Sequence, residues 1–433
     1  MSTPFSFYLV TDIHYYDSSF KCSGAAYEER SRTDQKCIAE TPAIVDAGFK
    51  QILSDDSTDT ILIPGDLVYR GEYQSHVGLR EKLYKLKEHG KKIYLITARH
   101  DYGGEPVEFD GDNLLPVKGM PREELRDFYK DFGFSQAISE HEKSMSYVAQ
   151  IADGVRLLAL NCDGDCKDFK GLWQDQLDWA VNEIKKAHDD GEYIFAMTHY
   201  PLLPFSSVMY LLPDAKLTDW QKTADILADA GLDLIFTGHM HAQAVTDYTT
   251  ANGNTITDVQ TGCFVGCPCA YRKVTLSEDK IAINSYTIDD FDYDKQGKTA
   301  QEYFTWRFDR MINLTMDSIL PKPAKKILDK FTLKKLGRLL MFKVDKSIED
   351  RLAKDVGVEL VRNVFVGNEP YTKGTPVYEA MAKLLKRLRF ITRILGKKLG
   401  EKSPILSDID TFVLSMIGDE KQRDHDVVLR RNF

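Results

Sequence analysis

The feature that most constrains this chain is a repeated pairing of a short β-branched or apolar run with a histidine or aspartate just beyond it. Residues 5–11 precede Asp12 and His14, 60–63 precede Gly65-Asp66, and 93–97 precede His100-Asp101. Residues 193–198 precede His199, and 234–237 precede His239 and His241. Runs of this length and composition read as strands; residues 156–160 make another. Helical patterns lie between them at 75–89, 122–132, 175–188 and 218–230. This alternation predicts an α/β domain with much parallel pairing. Ligands in such sheets gather beyond the carboxyl ends of the strands, where five of the ten histidines stand.

A single histidine at a strand end usually just hydrogen-bonds the backbone. Five of them together with aspartates point to bound cations. Alternate residues of an extended segment face the same way, so Asp12 and His14 can face one ion, and so can His239 and His241. Imidazole and carboxylate together suit Zn, Fe, Mn or Ni. Six or seven ligands exceed what one tetrahedral ion needs, which favours two ions about 3.5–4 Å apart sharing a bridge. Asp66 is the natural bridge, and Gly65 lets the backbone approach closely.

In order and spacing, Asp12-x-His14, Gly65-Asp66, His100-Asp101, His199 and Gly238-His239-x-His241 resemble the motif set of the calcineurin-like metallophosphoesterase family, over roughly residues 5–290. In broad layout, with a helical C-terminal extension, the chain is similar to bacterial members that cleave cyclic nucleotides. The resemblance implies a four-layer α/β/β/α sandwich. It also implies hydrolysis of phosphate monoesters or diesters by a metal-activated hydroxide at a dinuclear site. In the roles it implies, Asp12, His14 and His241 hold a first divalent ion, Asp66 bridges, and His199 and His239 hold a second. His100 binds the phosphate and donates a proton to the leaving oxygen, and Asp101 orients His100.

One position departs from the family. Where the family has asparagine, whose carbonyl binds the second metal, this chain has Arg99 in Ala98-Arg99-His100-Asp101. A guanidinium has no acceptor and cannot ligate a cation. Three outcomes are open: a water or substrate oxygen fills the fourth position, the second ion binds weakly or only with substrate, or the site is inactive and the chain is a binding module. Arg99 itself either grips a phosphate oxygen or pairs with a nearby carboxylate. Asn161, just past the 156–160 run, is a further candidate at the rim of the site, with a turn role as the alternative. Tyr102 and Tyr200 either stack on a base or simply pack.

Charge bounds the partners. Residues 1–300 carry 30 Lys and Arg against 48 Asp and Glu, a net −18, and residues 301–433 carry 27 against 18, a net +9. An acidic metal-bearing part argues against nucleic acid and for a small phosphorylated substrate, a nucleotide among the options. The acidic stretch 289–294 sets the expected boundary between a catalytic domain, 1–294, and a basic, mostly helical region, 295–433, with helices over 299–320, 322–342 and 376–399. Residues 378–400 form a basic amphipathic pattern, read first as a helix packing its apolar face on the body and second as a membrane-surface contact. Nothing in the sequence identifies a protein partner. The seven cysteines, at 22, 37, 162, 166, 263, 267 and 269, form no CxxC pair and read as reduced thiols. With no basic leader and no apolar run of spanning length, the expected location is cytoplasmic. Residues 15–45 are expected to include a helix over 34–44 and to wall the pocket. Strands at 245–249, 255–260, 272–276 and 281–287 are expected to form a second, more antiparallel sheet.

Overall fold

The computed structural model describes residues 4–164, 169–210, 212, 214–319, 322–400, 407–419 and 421–431. Two large sheets face each other. The first has the order Val427–Arg430, Lys280–Thr287, Ala270–Leu276, Phe5–Leu9, Thr60–Pro64, Lys92–Ile96. The second runs Ala244–Thr249, Thr255–Gln260, Leu234–Thr237, Tyr193–Thr198, Val155–Leu160, Ser146–Ala152, Ala137–His141. Pairing is parallel between Phe5–Leu9, Thr60–Pro64 and Lys92–Ile96. It is also parallel from Val155–Leu160 through Tyr193–Thr198 and Leu234–Thr237 to Thr255–Gln260. Their carboxyl ends form the edge that carries the histidines.

Both faces of the central strands are covered, which is why they read as unbroken apolar runs. In Tyr193–Thr198, Phe195 and Met197 enter the layer between the sheets, while Ile194 and Ala196 face outward. Phe7 of the first sheet stacks on Phe195 at 5.2 Å and meets Phe236 edge-on at 5.4 Å, so the sheets touch through aromatic rings. Helices Thr41–Leu53 and Tyr73–Glu88 cover the outer face of the first sheet with Phe49, Ile52, Leu79 and Leu83. Helices Gln174–Asp189 and Trp220–Asp229 cover the second with Leu177, Ile184 and Leu227. The result is the expected four-layer α/β/β/α sandwich.

Several expectations are corrected. The four late strands form no sheet of their own: Ala244–Thr249 and Thr255–Gln260 join the second sheet, and Ala270–Leu276 and Lys280–Thr287 join the first. The 34–44 helix is absent, because helices run over Ala25–Thr33 and Thr41–Leu53, with Pro42 in the first turn of the latter. The 322–342 helix is two, Lys322–Lys330 and Leu333–Leu339, and 376–399 is also two, Pro376–Arg387 and Arg389–Gly400. Leu320, at the end of the expected 299–320 helix, and Cys166 lie outside the described residues. The other six cysteines are unpaired, and no helix among the described residues is long and apolar enough to cross a membrane.

The C-terminal region returns to the sandwich. Helix Ala300–Ile319 places Tyr303, Phe304 and Phe308 in the main core. Val427–Arg430 then adds an antiparallel edge strand to Lys280–Thr287. Arg272, fully buried, donates to Thr261 Oγ1, Ser285 Oγ and the carbonyls of Gln260, Asp424 and His425. One guanidinium thus ties the tail to both sheets.

Candidate metal centre

All the strand-end residues converge where the carboxyl edges of the two sheets meet. One nitrogen or oxygen from each of Asp12, His14 and His241 lies within 4.8 Å of the others, and the same holds for Asp66, His199 and His239. His14 Nε2 stands 3.0 Å from His241 Nε2. Asp12 Oδ1 is 3.7 Å from the former and 3.3 Å from the latter. Asp66 joins the groups, its Oδ2 being 3.6 Å from His14 Nε2 and 3.1 Å from His199 Nε2.

The backbone explains how local sequence reaches this geometry. Asp12, His14, Asp66, His239 and His241 all take positive φ, between 40° and 70°. Non-glycine residues seldom do so, though Asp and His tolerate it best, and such strain collects at functional sites. These segments are therefore not extended, and the expectation that His239 and His241 face one ion fails: His241 joins Asp12 and His14, and His239 joins Asp66 and His199. Gly238 makes the crossing between sheets, since a Cβ there would stand 2.3 Å from Thr11 Oγ1 and 2.5 Å from Asp12 Oδ2. Its neighbour His239 donates its N–H to both Asp12 oxygens, at 3.2 and 3.0 Å.

The rings are held from behind, mostly by carbonyls. His199 Nδ1 donates to Pro64 O at 2.9 Å, His239 Nε2 to Asp214 O at 2.7 Å, and His241 Nδ1 to Gln35 Oε1 at 3.1 Å. Each bond occupies one ring nitrogen and leaves the other, once deprotonated, to offer a lone pair to an ion, as metal-ligating imidazoles require. Among the described residues, buried His199 Nε2 has no hydrogen-bond partner. Burial presses Asp66 upward, yet His199, His100 and His14 hold its carboxyl well below the usual range. Against burial, Asp66, Asp12 and Asp163 raise His199 to about 10, and Cys263 and Asp12 raise His241 to about 10. Burial and Lys36 lower His14 to about 3. The buried carboxylates thus favour protons on the imidazoles that face them. Divalent cations would displace those protons, so the donor set fits two ions.

His100 lies at the side of the clusters, its ring 4.9 Å from that of His14, and its backbone N–H donates to Asp66 Oδ1 at 3.2 Å. Nδ1 donates to Tyr69 O at 2.8 Å, which leaves Nε2 toward the cavity. Burial, against the nearby Asp66, lowers this imidazole to about 4. Asp101 does not touch the ring, contrary to expectation. Its oxygens accept the N–H groups of Leu67, Val68 and Ala98, because the tight turn at Arg99–Asp101 folds the carboxylate back onto the Asp66 loop.

Asn161 is also corrected. It is buried, donates to Thr97 and accepts the N–H of Asp163, so it braces a strand end and a turn and does not reach the rim. Tyr102 is tied to Asp163 at 2.9 Å, and Tyr200 packs its ring 4.1 Å from that of His239. Arg99 stays outside both clusters. Its guanidinium lies 3.9 Å from Asp214, both side chains being nearly half exposed, which makes a weak pair. A cavity of about 300 Å³ opens over the centre, lined by Asp66, Arg70, Arg99, His100, His199 and His239.

Sequence reasoning missed Gln35, Arg70 and the carbonyls of Pro64, Tyr69 and Asp214. A carbonyl has no side-chain signature. Gln35 carried a weak signal, since residues 15–45 were expected to wall the pocket.

Among solved structures, the chain is similar to a dimetal phosphatase from Danio rerio, at 13% identity and TM-score 0.47, over 65% of this chain and 95% of that one. It is similar to a purple acid phosphatase from yellow lupin seeds, at 14% and 0.42, over 66% of this chain and 52% of that one. It is also similar to a 5'-nucleotidase precursor from Thermus thermophilus, at 12% and 0.37, over 76% and 61%. No curated protein matches. The family model described as calcineurin-like phosphoesterase matches residues 5–243, more than half of the sequence. On that match, the chain belongs to the calcineurin-like phosphoesterase family.

Proposed function

We propose that the protein hydrolyses phosphate esters of small molecules at a centre of two divalent ions. Asp12, His14 and His241 would hold one ion, His199 and His239 the other, and Asp66 would bridge. The observation that carries this reading is the pair of three-ligand clusters joined through one aspartate. Family membership supports metal-dependent phosphoester hydrolysis. Bound divalent ions supply positive charge against phosphoryl oxygens and acidify water.

The chain's own residues do the rest. Arg99, whose ion pair among the described residues is the weak one with Asp214, would swing to a phosphate oxygen when substrate enters, adding a grip on the substrate and no ligand to the metal. His100 lines the cavity, its Nδ1 held by the Tyr69 carbonyl, and burial lowers its imidazole to about 4. An arriving phosphate anion favours its protonated form, and the proton then passes from Nε2 to the leaving oxygen. Nothing in this scheme requires a covalent enzyme intermediate.

The test is a panel of nitrophenyl mono- and diesters, nucleotides and cyclic nucleotides, each with added Mn, Fe, Zn, Ni or Mg. Hydrolysis of at least one class, dependent on added metal, is expected. Failure on every ester with every metal contradicts the proposal and favours a binding protein on this fold.

A further inference from the structure

The C-terminal helices present apolar side chains to solvent beside concentrated positive charge. Six large apolar side chains are more than half exposed among the described residues, and four of them cluster here: Leu339 at 55%, Met341 at 75%, Phe390 at 78% and Ile394 at 54%. The two segments that carry them are joined through side chains of Pro376–Arg387. Arg387 donates to the Met341 carbonyl at 2.6 Å and Lys383 to that of Lys343 at 3.5 Å, which sets the exit of Leu333–Leu339 against the end of Pro376–Arg387. Phe390 follows within a turn. Ile394, four residues on, shares its face of Arg389–Gly400. The other side of that helix is committed, since Gly396 packs so tightly that a Cβ would stand 2.3 Å from the Ser407 carbonyl. Met341 takes a φ of 58°, a left-handed position that favours glycine after a helix, and still carries a large exposed side chain.

Basic residues outnumber acidic ones beside this apolar surface, with Asp408 and Asp410 lining a cleft with Lys386, Arg389 and Arg393. Residues 376–400 hold seven Lys and Arg against one acid, Glu379, and residues 333–343 hold four cations and no acid. At 100° per residue, Arg393, Lys397 and Lys398 flank the Phe390–Ile394 stripe, and all three are exposed. Nucleic acid would satisfy the cations but offers Phe390 and Met341 no apolar phase. A bilayer interface offers both phosphates and hydrocarbon.

We propose that this surface docks on an anionic lipid bilayer, with Phe390, Ile394 and Met341 entering the headgroup–acyl boundary and the flanking Lys and Arg meeting lipid phosphates. The proposal is independent of the phosphoesterase reading. The experiment is flotation of the full chain with vesicles of equimolar phosphatidylcholine and phosphatidylglycerol, beside pure phosphatidylcholine vesicles and duplex DNA. Capture on the mixed vesicles is expected, about tenfold stronger than on the neutral ones, and released at 1 M salt, where screening shortens to about 3 Å. The pair Phe390→Ser with Ile394→Ser should weaken capture about tenfold or more while the circular dichroism spectrum and melting point hold. No capture, equal capture of that pair and the native chain, or tighter binding to DNA than to mixed vesicles overturns the proposal. Should the serine pair melt early, Phe390→Trp decides: the difference between its emission and that of the native chain, whose four tryptophans are common to both, shifts to the blue on mixed vesicles, and an unshifted difference overturns the proposal equally.

Discussion

Asp101 offers the sharpest energetic test, because its fully buried carboxylate serves three backbone donors and no imidazole. Leu67 and Val68 donate to Oδ1 at 2.7 and 3.0 Å, and Ala98 donates to Oδ2 at 2.7 Å. In Asp101→Asn the remaining oxygen still serves Leu67 and Val68, while the new NH2 meets the Ala98 N–H donor to donor. One stranded buried donor costs about 1–3 kcal/mol. Asp101→Ala strands all three, for about 6 kcal/mol if the middle of that range applies to each. Asp66 directly precedes Leu67, so both variants should also loosen the metal centre. Urea denaturation of the metal-free protein measures the loss, with an unchanged slope showing that the midpoint shift reflects stability. An asparagine variant within about 0.5 kcal/mol of the native chain, or an alanine variant no worse than asparagine, would refute the reasoning.

Three further outcomes follow from named groups. His100→Asn should keep its metal content and lose about 10²–10⁴ in turnover on alkyl esters, with a much smaller loss on nitrophenyl esters, whose leaving groups need no proton; equal losses on both would exclude the acid role. Glu72 is fully buried, and burial raises its folded-state pKa to about 7 from the ordinary 4.5. Its contribution to stability is therefore fully present below pH 4.5 and is lost as pH rises through 7. Relative to the native chain, Glu72→Gln should gain about 3 kcal/mol between pH 4.5 and 8 in denaturation midpoints, and a pH-independent difference would contradict this. Arg272→Met should strand several buried acceptors, cost about 3–5 kcal/mol and expose the tail strand Val427–Arg430 to protease, whereas native-like digestion would show that the guanidinium does not hold the tail.

How much was legible in the sequence depended on the range of the interaction. The α/β alternation with parallel pairing was readable because doubly covered parallel strands must be apolar throughout, and their ends are marked by residues that no core would accept unpaired, whereas the four-layer sandwich came from the family resemblance. The strand-end His and Asp residues were readable for the same reason. What was missed is long-range or belongs to the backbone. The separation of His239 from His241, which the family resemblance implied, rests on left-handed backbone at both, which the rule of alternation alone cannot anticipate. Asp101 was misassigned because its partners are amides 33 and 34 residues away, at Val68 and Leu67. Asn161 was placed at the rim because a strand-end polar residue looks alike whether it faces a cavity or braces a turn. The return of residues 427–430 to the first sheet was hidden because an edge strand needs only a short alternating segment. The break at Leu388 has no Gly or Pro to announce it.

Metal uptake tests the central claim most directly. Equilibrium dialysis of the purified chain against Mn(II), followed by elemental analysis, should give two ions per chain, and the His199→Ala, His239→Ala pair should retain one. A native chain that takes up no metal, or a double variant that still takes up two, would contradict the assignment of these clusters.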